Sequence, residues 1–117
     1  MKRIAILGST GSIGRSALKV IEAMPERLEV VGLAAHKNAA ALASQARRFR
    51  PRLVSLFEAE ASSALSRELD GACRHLPPGV EGLVEMASHP DVDVVLTSLV
   101  GAVGFAPLLA AVKAGKI

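Results

Sequence analysis

The residues best suited to chemistry stand near the N-terminus. Gly8-Ser9-Thr10-Gly11-Ser12-Ile13-Gly14 follows a short apolar run, Arg3 to Leu7, and leads into a stretch of helical periodicity. The spacing is G-x-x-G-x-x-G. A glycine turn in this place can hold a phosphate. Gly8 can turn sharply off a strand, Gly11 has no side chain to keep backbone away from an anion, and Gly14 lets the helix pack tightly on a sheet. The helix N-terminus presents free N–H groups and partial positive charge. Thr10 and Ser12 add hydroxyl donors, and Ile13 opens the helix. A strand before and a helix after is the context that a dinucleotide fingerprint requires. The expected ligand is the pyrophosphate of a dinucleotide; the plain alternative is a tight βα turn and nothing more.

A second group lies at the end of the next apolar run. A unit selective for NAD carries Asp or Glu about 20 residues after the glycines, bonded to ribose hydroxyls. Here the stretch is Leu33-Ala34-Ala35-His36-Lys37-Asn38-Ala39, without a carboxylate. A carboxylate would repel a 2′-phosphate, whereas Lys37 attracts one. Asn38 can donate from its side chain, and it begins a helix whose first N–H groups add donors. The pattern favours NADPH over NADH. The bland reading makes Lys37 a solvated surface residue and Asn38 a helix cap.

Alternating strands and helices must position these groups. Buried strands are expected at Arg3 to Leu7, Leu28 to Ala35, Leu53 to Leu56 and Val92 to Leu99, with a weak edge strand over Ala72 to Leu76. Apolar residues at helical spacing predict helices at Ile13 to Met24, from Asn38 as N-cap to about Phe49, and at Glu58 to Leu69, Val80 to Ser88 and Phe105 to Ala114. Pro25, Pro51 and Asp70-Gly71 end the first three, and Gly115 suits the C′ position of the last. Such alternation implies an α/β fold: a Rossmann-like, doubly wound, mainly parallel sheet flanked by helices, with right-handed crossovers. Lys116-Ile117 reads as the start of a further strand. Residues 1–117 are therefore expected to form one domain cut from a longer protein, with the rest of an active site elsewhere.

Composition agrees. Half of the 117 residues are hydrophobic, and the mean hydropathy is +0.38. The excess is Ala, Leu and Val, as suits strands buried on both faces. A net charge of +3, with no Trp or Tyr and three Phe, gives no reason to expect nucleic acid as a partner. The run Arg47-Arg48-Phe49-Arg50-Pro51-Arg52 is more simply a solvated helix end that complements the macrodipole. No stretch approaches the roughly 18 apolar residues of a membrane span. The lone Cys73 cannot make an intrachain disulfide, so a reducing, cytoplasmic setting is expected. Cys73, His75 and His89 lack metal-ligand spacing. Asp91 and Asp93 belong at the end of the sheet opposite the glycine turn, where surface charge is the better reading than a metal pair.

Gly8 to Gly14, Lys37-Asn38, Leu99-Val100-Gly101-Ala102-Val103-Gly104 and Ala114-Gly115-Lys116 together resemble the 1-deoxy-D-xylulose 5-phosphate reductoisomerases. The resemblance runs along the whole chain but covers only the N-terminal NADPH-binding domain of those enzymes. It implies an NADPH-dependent oxidoreductase that rearranges and reduces 1-deoxy-D-xylulose 5-phosphate to 2-C-methyl-D-erythritol 4-phosphate in isoprenoid synthesis, with a divalent metal (Mg or Mn) and as a homodimer. It implies that Thr10, Gly11, Ser12 and Ile13 contact the cofactor's phosphates and ribose, and that Lys37 and Asn38 meet the 2′-phosphate region. The family commonly has glycine where this chain has His36, whose side chain would pack near the adenine end. Ser98 to Gly101 would face the nicotinamide. The metal ligands, the substrate-phosphate ligands and the lid follow later in the family's sequence, so this chain alone is expected to bind NADPH without catalysing the reaction. The glycine turn is shared with other NADP enzymes, and a semialdehyde dehydrogenase or a non-catalytic nucleotide sensor stays open on the turn alone.

Overall fold

The structure is a computed structural model that describes residues 1–69, 71, 73–99 and 102–117. Five strands form one parallel sheet: β1 (Lys2–Leu7), β2 (Leu28–Ala35), β3 (Leu53–Leu56), β4 (Arg74–His75) and β5 (Val94–Thr97). Their order is β4-β3-β2-β1-β5. Between them run α1 (Ser12–Ala23), α2 (Ala39–Phe49), α3 (Ala59–Glu68) and α4 (Gly79–Ser88), and α5 (Ala102–Lys113) follows β5. The first four strands step outward in one direction, and β5 returns to the other side of β1. The order thus reverses between β1 and β5, where open parallel sheets form a ligand crevice beyond the carboxyl ends of the strands.

Two cores sandwich the sheet, which makes the fold doubly wound. On one face Ile4, Ile6, Leu33, Val54 and Leu56 meet Leu18 and Ile21 of α1, Leu42, Ala43 and Ala46 of α2, and Leu65 of α3. On the other, Ala5, Leu7, Val31, Ala34 and Leu53 meet Leu83, Met86 and Ala87 of α4 and Ala111 of α5. Successive strand residues point to opposite faces, so an apolar strand such as β1 feeds both cores. Each fully buried Leu, Ile or Val contributes about 1.5–3 kcal/mol.

Most element bounds lie within a residue or two of those expected from the sequence. The last strand and helix depart further. β5 is limited to Val94–Thr97, because the Val92 N–H closes a turn on His89 O at 3.1 Å just before it. α5 starts three residues before Phe105 and carries Pro107 inside it. Gly104 seats that early turn against the end of β5: a Cβ there would lie 3.0 Å from the Leu99 carbonyl oxygen. Asp70 and Ala72, expected at the end of α3 and in the edge strand, lie outside the described residues. At the C-terminal end of α5, Lys116 N–H donates to Ala111 and Gly115 N–H to Val112. This is the Schellman pattern, with Gly115 at φ 74°. Ile117 then pairs with β5, its N–H bonding Asp93 O at 3.2 Å and its carbonyl taking the Val95 N–H at 2.9 Å.

Candidate cofactor-binding site

The glycine turn leaves β1 at the switch point. Gly8 and Ser9 N–H both bond Ala34 O of β2, at 2.8 and 2.9 Å, which anchors the turn to the neighbouring strand. Gly8 sits at φ 97°, a conformation side chains rarely adopt, and an added Cβ would meet Ser98 Oγ at 2.3 Å. Gly14 begins the buried side of α1. A Cβ there would lie 2.3 Å from Gly8 O and 2.6 Å from Ser9 Cα. These two glycines are therefore required by the protein's own packing.

Gly11 differs. The nearest atom to an added Cβ is Gly8 O at 3.6 Å, an ordinary contact, and φ −78°, ψ 176° is open to any residue. Among the described residues no contact demands glycine here. Gly11 is also the N-cap of α1 and supplies no side-chain cap, so the first-turn N–H groups of α1 keep their capacity to bind an outside acceptor. Gly11, Ser12 and Ile13 are exposed, Thr10 is half-buried and Gly14 is buried. The exposure of Ile13, 60%, is high for an apolar residue.

α2 begins in a contrasting way. Asn38 caps it, its Oδ1 accepting the Ala41 N–H at 3.0 Å. The cap expected from the sequence is present, and the Asn38 side-chain amino group still has donors to offer. Lys37 is exposed and joins none of the ion pairs found among the described residues. His36, exposed at the end of β2, stacks on Phe57 just after β3, with ring centroids 5.5 Å apart and planes at 19°. Phe57 carried no signal in the sequence; the pairing of β2 with β3 brings the two rings together. Of the stretch expected on the nicotinamide side, Ser98 lies against Gly8, while Val100 and Gly101 lie outside the described residues.

The remaining candidates are held by local partners. Arg47, Arg48 and Arg52 pair with Glu68, Glu22 and Asp91. Cys73 packs against a core, and His75 Nδ1 lies 3.4 Å from Ser66 Oγ. Asp91 and Asp93 stand at the amino end of the sheet, as the sequence suggested. Asp93 takes the Arg3 backbone N–H at 2.9 Å and its guanidinium at 3.2 and 3.3 Å, and Asp91 pairs with Arg3 and Arg52. Hydrogen bonds from the Arg3 side chain and then its backbone lower the Asp93 pKa to about 2. A lowered carboxyl pKa contributes stability above the unfolded-state value, lost as pH falls through the folded value. Asp93→Asn is expected to lower the urea midpoint at neutral pH. Its deficit should shrink once the pH drops below about 4; a deficit constant with pH in a urea titration series would contradict this role.

These features define a class: the Rossmann-like, doubly wound α/β domains, with a glycine turn at the switch point of a parallel sheet. Residues 4–117 match the family model described as 1-deoxy-D-xylulose 5-phosphate reductoisomerase, and the chain belongs to that family. The reductoisomerase of Symbiobacterium thermophilum is 51% identical over 119 residues, covering 98% of this chain and 31% of that protein. A solved DOX-P reductoisomerase in complex with NADPH, fosmidomycin and magnesium superposes with a TM-score of 0.92 at 36% identity, covering 99% of this chain and 29% of that one. The Zymomonas mobilis enzyme in complex with NADPH gives 0.90 at 31% identity, covering 98% and 30%. The chain thus spans about three-tenths of the length of these relatives. Membership of this family favours the reductoisomerase over the semialdehyde dehydrogenase and the nucleotide sensor.

Proposed function

We propose that residues 1–117 form the NADPH-binding domain of an enzyme that converts 1-deoxy-D-xylulose 5-phosphate to 2-C-methyl-D-erythritol 4-phosphate. One observation carries the proposal: Gly11 is a glycine that no contact among the described residues requires, at the uncapped start of α1 and the switch point of the sheet. An absent Cβ and free N–H groups suit a close-lying pyrophosphate. In this reading Gly8 and Gly14 shape the turn, and Thr10, Gly11, Ser12 and Ile13 hold the phosphates and ribose. Lys37 and Asn38 take the 2′-phosphate, and the His36 ring, backed by Phe57, supports the adenine. The relatives solved with NADPH support the choice of cofactor. When bound, NADPH supplies the hydride for the reduction; this chain's residues bind and orient it.

The same reading gives the whole protein a divalent metal, a sugar-phosphate substrate, a homodimeric assembly and a cytoplasmic location. Metal and substrate ligands are assigned outside this chain. Among the described residues no three His, Cys, Asp or Glu groups gather as a metal site, and no helix is long and apolar enough to cross a membrane. A calorimetric titration of the chain with NADPH and with NADH tests the reading. NADPH is expected to bind at least tenfold tighter, about 1.4 kcal/mol. Equal binding would discard Lys37 and Asn38 as 2′-phosphate readers, and binding of neither would overturn the cofactor assignment.

A further inference from the structure

Gln45 lies two turns into α2, 36 positions along the chain from Ser9, the residue of the glycine turn that it touches. Its Nε2 donates to the Ser9 carbonyl at 2.9 Å, across the interface of α2 with the turn. Ser9 is fully buried. Ser9 N–H is already bonded to Ala34 O, so Gln45 holds the other end of the same residue's backbone. Ser9 Oγ and Gln45 Oε1 are the buried side-chain polar atoms with no hydrogen-bond partner among the described residues. Buried polar atoms left unsatisfied disfavour the fold. Polar residues kept in such a place point to a role other than packing. The anchoring of α2 itself needs neither of them, because Leu42, Ala43 and Ala46 bury its apolar face.

We propose that Gln45 is a positioning residue that locks the glycine turn to α2. It thereby sets the distance between the pyrophosphate loop at Gly11 and the 2′-phosphate reader at Lys37-Asn38, which sits on the N-terminal end of the same helix. The proposal rests on the cofactor reading above. Its signature is selective. A ligand that spans both regions depends on their register, whereas one that occupies only the reader does not.

The test compares the parent chain with Gln45→Met, which keeps the length of the side chain and removes the donor. Binding of NADPH and of adenosine 2′-phosphate is measured by calorimetry, with melting temperature and amide hydrogen exchange of the ligand-free chains alongside. The expected result is NADPH weakened about tenfold, about 1.4 kcal/mol, with adenosine 2′-phosphate changed by less than about twofold. Exchange at Ser9 should quicken in Gln45→Met while the slowest core amides stay unchanged. Gln45→Leu, a second variant without the donor, should repeat the pattern if the first fails to fold. Equal weakening of both ligands would overturn the proposal, since it would mark a general structural role. So would unchanged NADPH affinity or unchanged Ser9 exchange. Failure of the parent chain to bind either ligand would instead overturn the cofactor reading and, with it, the positioning role, and is recognised by appearing before any substitution is made.

Discussion

Gly11→Ala is expected to leave the fold intact and to abolish most of the NADPH affinity, whereas Gly14→Ala is expected to damage the fold itself. At Gly11 the new methyl group meets only Gly8 O, at 3.6 Å. Less unfolded-state entropy is lost on folding, and the N-cap is slightly poorer, so the net stability change stays within about 1 kcal/mol. In the proposed cofactor site the same methyl group would stand where the pyrophosphate approaches. Steric intrusion into a close-packed contact costs about 1–3 kcal/mol, or roughly 10- to 100-fold in Kd. At Gly14 the methyl would meet Gly8 O at 2.3 Å and Ser9 backbone at 2.6 and 2.8 Å. Backbone atoms anchored to Ala34 have little room to yield. A loss of about 3 kcal/mol is expected, a fall of roughly 10 °C in Tm. Thermal melts and NADPH titrations of the two variants separate the effects. A stable Gly11→Ala chain that binds NADPH as tightly as the parent would refute the phosphate role of the turn.

The second large effect is expected from reversing the charge at Lys37. Lys37 is exposed and outside the ion pairs seen among the described residues, so its removal leaves no carboxylate unpaired. Stability should therefore hardly move. A charge-assisted hydrogen bond contributes about 1.5–3 kcal/mol, and in the proposed site Lys37→Glu replaces that attraction with repulsion of the 2′-phosphate. NADPH is expected to bind about 100-fold more weakly, about 2.7 kcal/mol. NADH, which lacks that phosphate, should change little or bind somewhat better, because a carboxylate at the end of the second strand suits free ribose hydroxyls. The ratio of the two dissociation constants, measured at one salt concentration because exposed charges are screened, decides it. An unchanged ratio would show that Lys37 is only a solvated surface residue.

Legibility differed between the parts of the site. The glycine turn and Lys37-Asn38 were visible because they stand at set distances from apolar runs, and the structure places both at the carboxyl ends of β1 and β2. Asn38 proved to be the cap its position suggested. The Gln45 bond to Ser9 and the His36 stack on Phe57 left no trace in the sequence. Gln45 is one more polar residue in an amphipathic helix, and Phe57 one more apolar residue at a strand end. Each acquires meaning only from a neighbour more than 20 residues away.

The same division applies to the fold. Local periodicity alone determined that strands alternate with helices, and hence that the sheet is parallel, because apolar spacing within one element reports which faces must be buried. The turns at Gly8 and Gly115 were also local, since a backbone turn depends on its own φ and ψ, although the contact with Ser98 that also excludes a side chain at Gly8 was not. Only the tertiary structure decided the order β4-β3-β2-β1-β5 and the division of the helices between two cores. It alone showed that Gly14 is demanded by packing while Gly11 is not, and that Asp93 answers to Arg3 across 90 positions. Contacts between elements depend on shape and register in three dimensions. A linear pattern states which surface each element must bury, but not the surface that buries it.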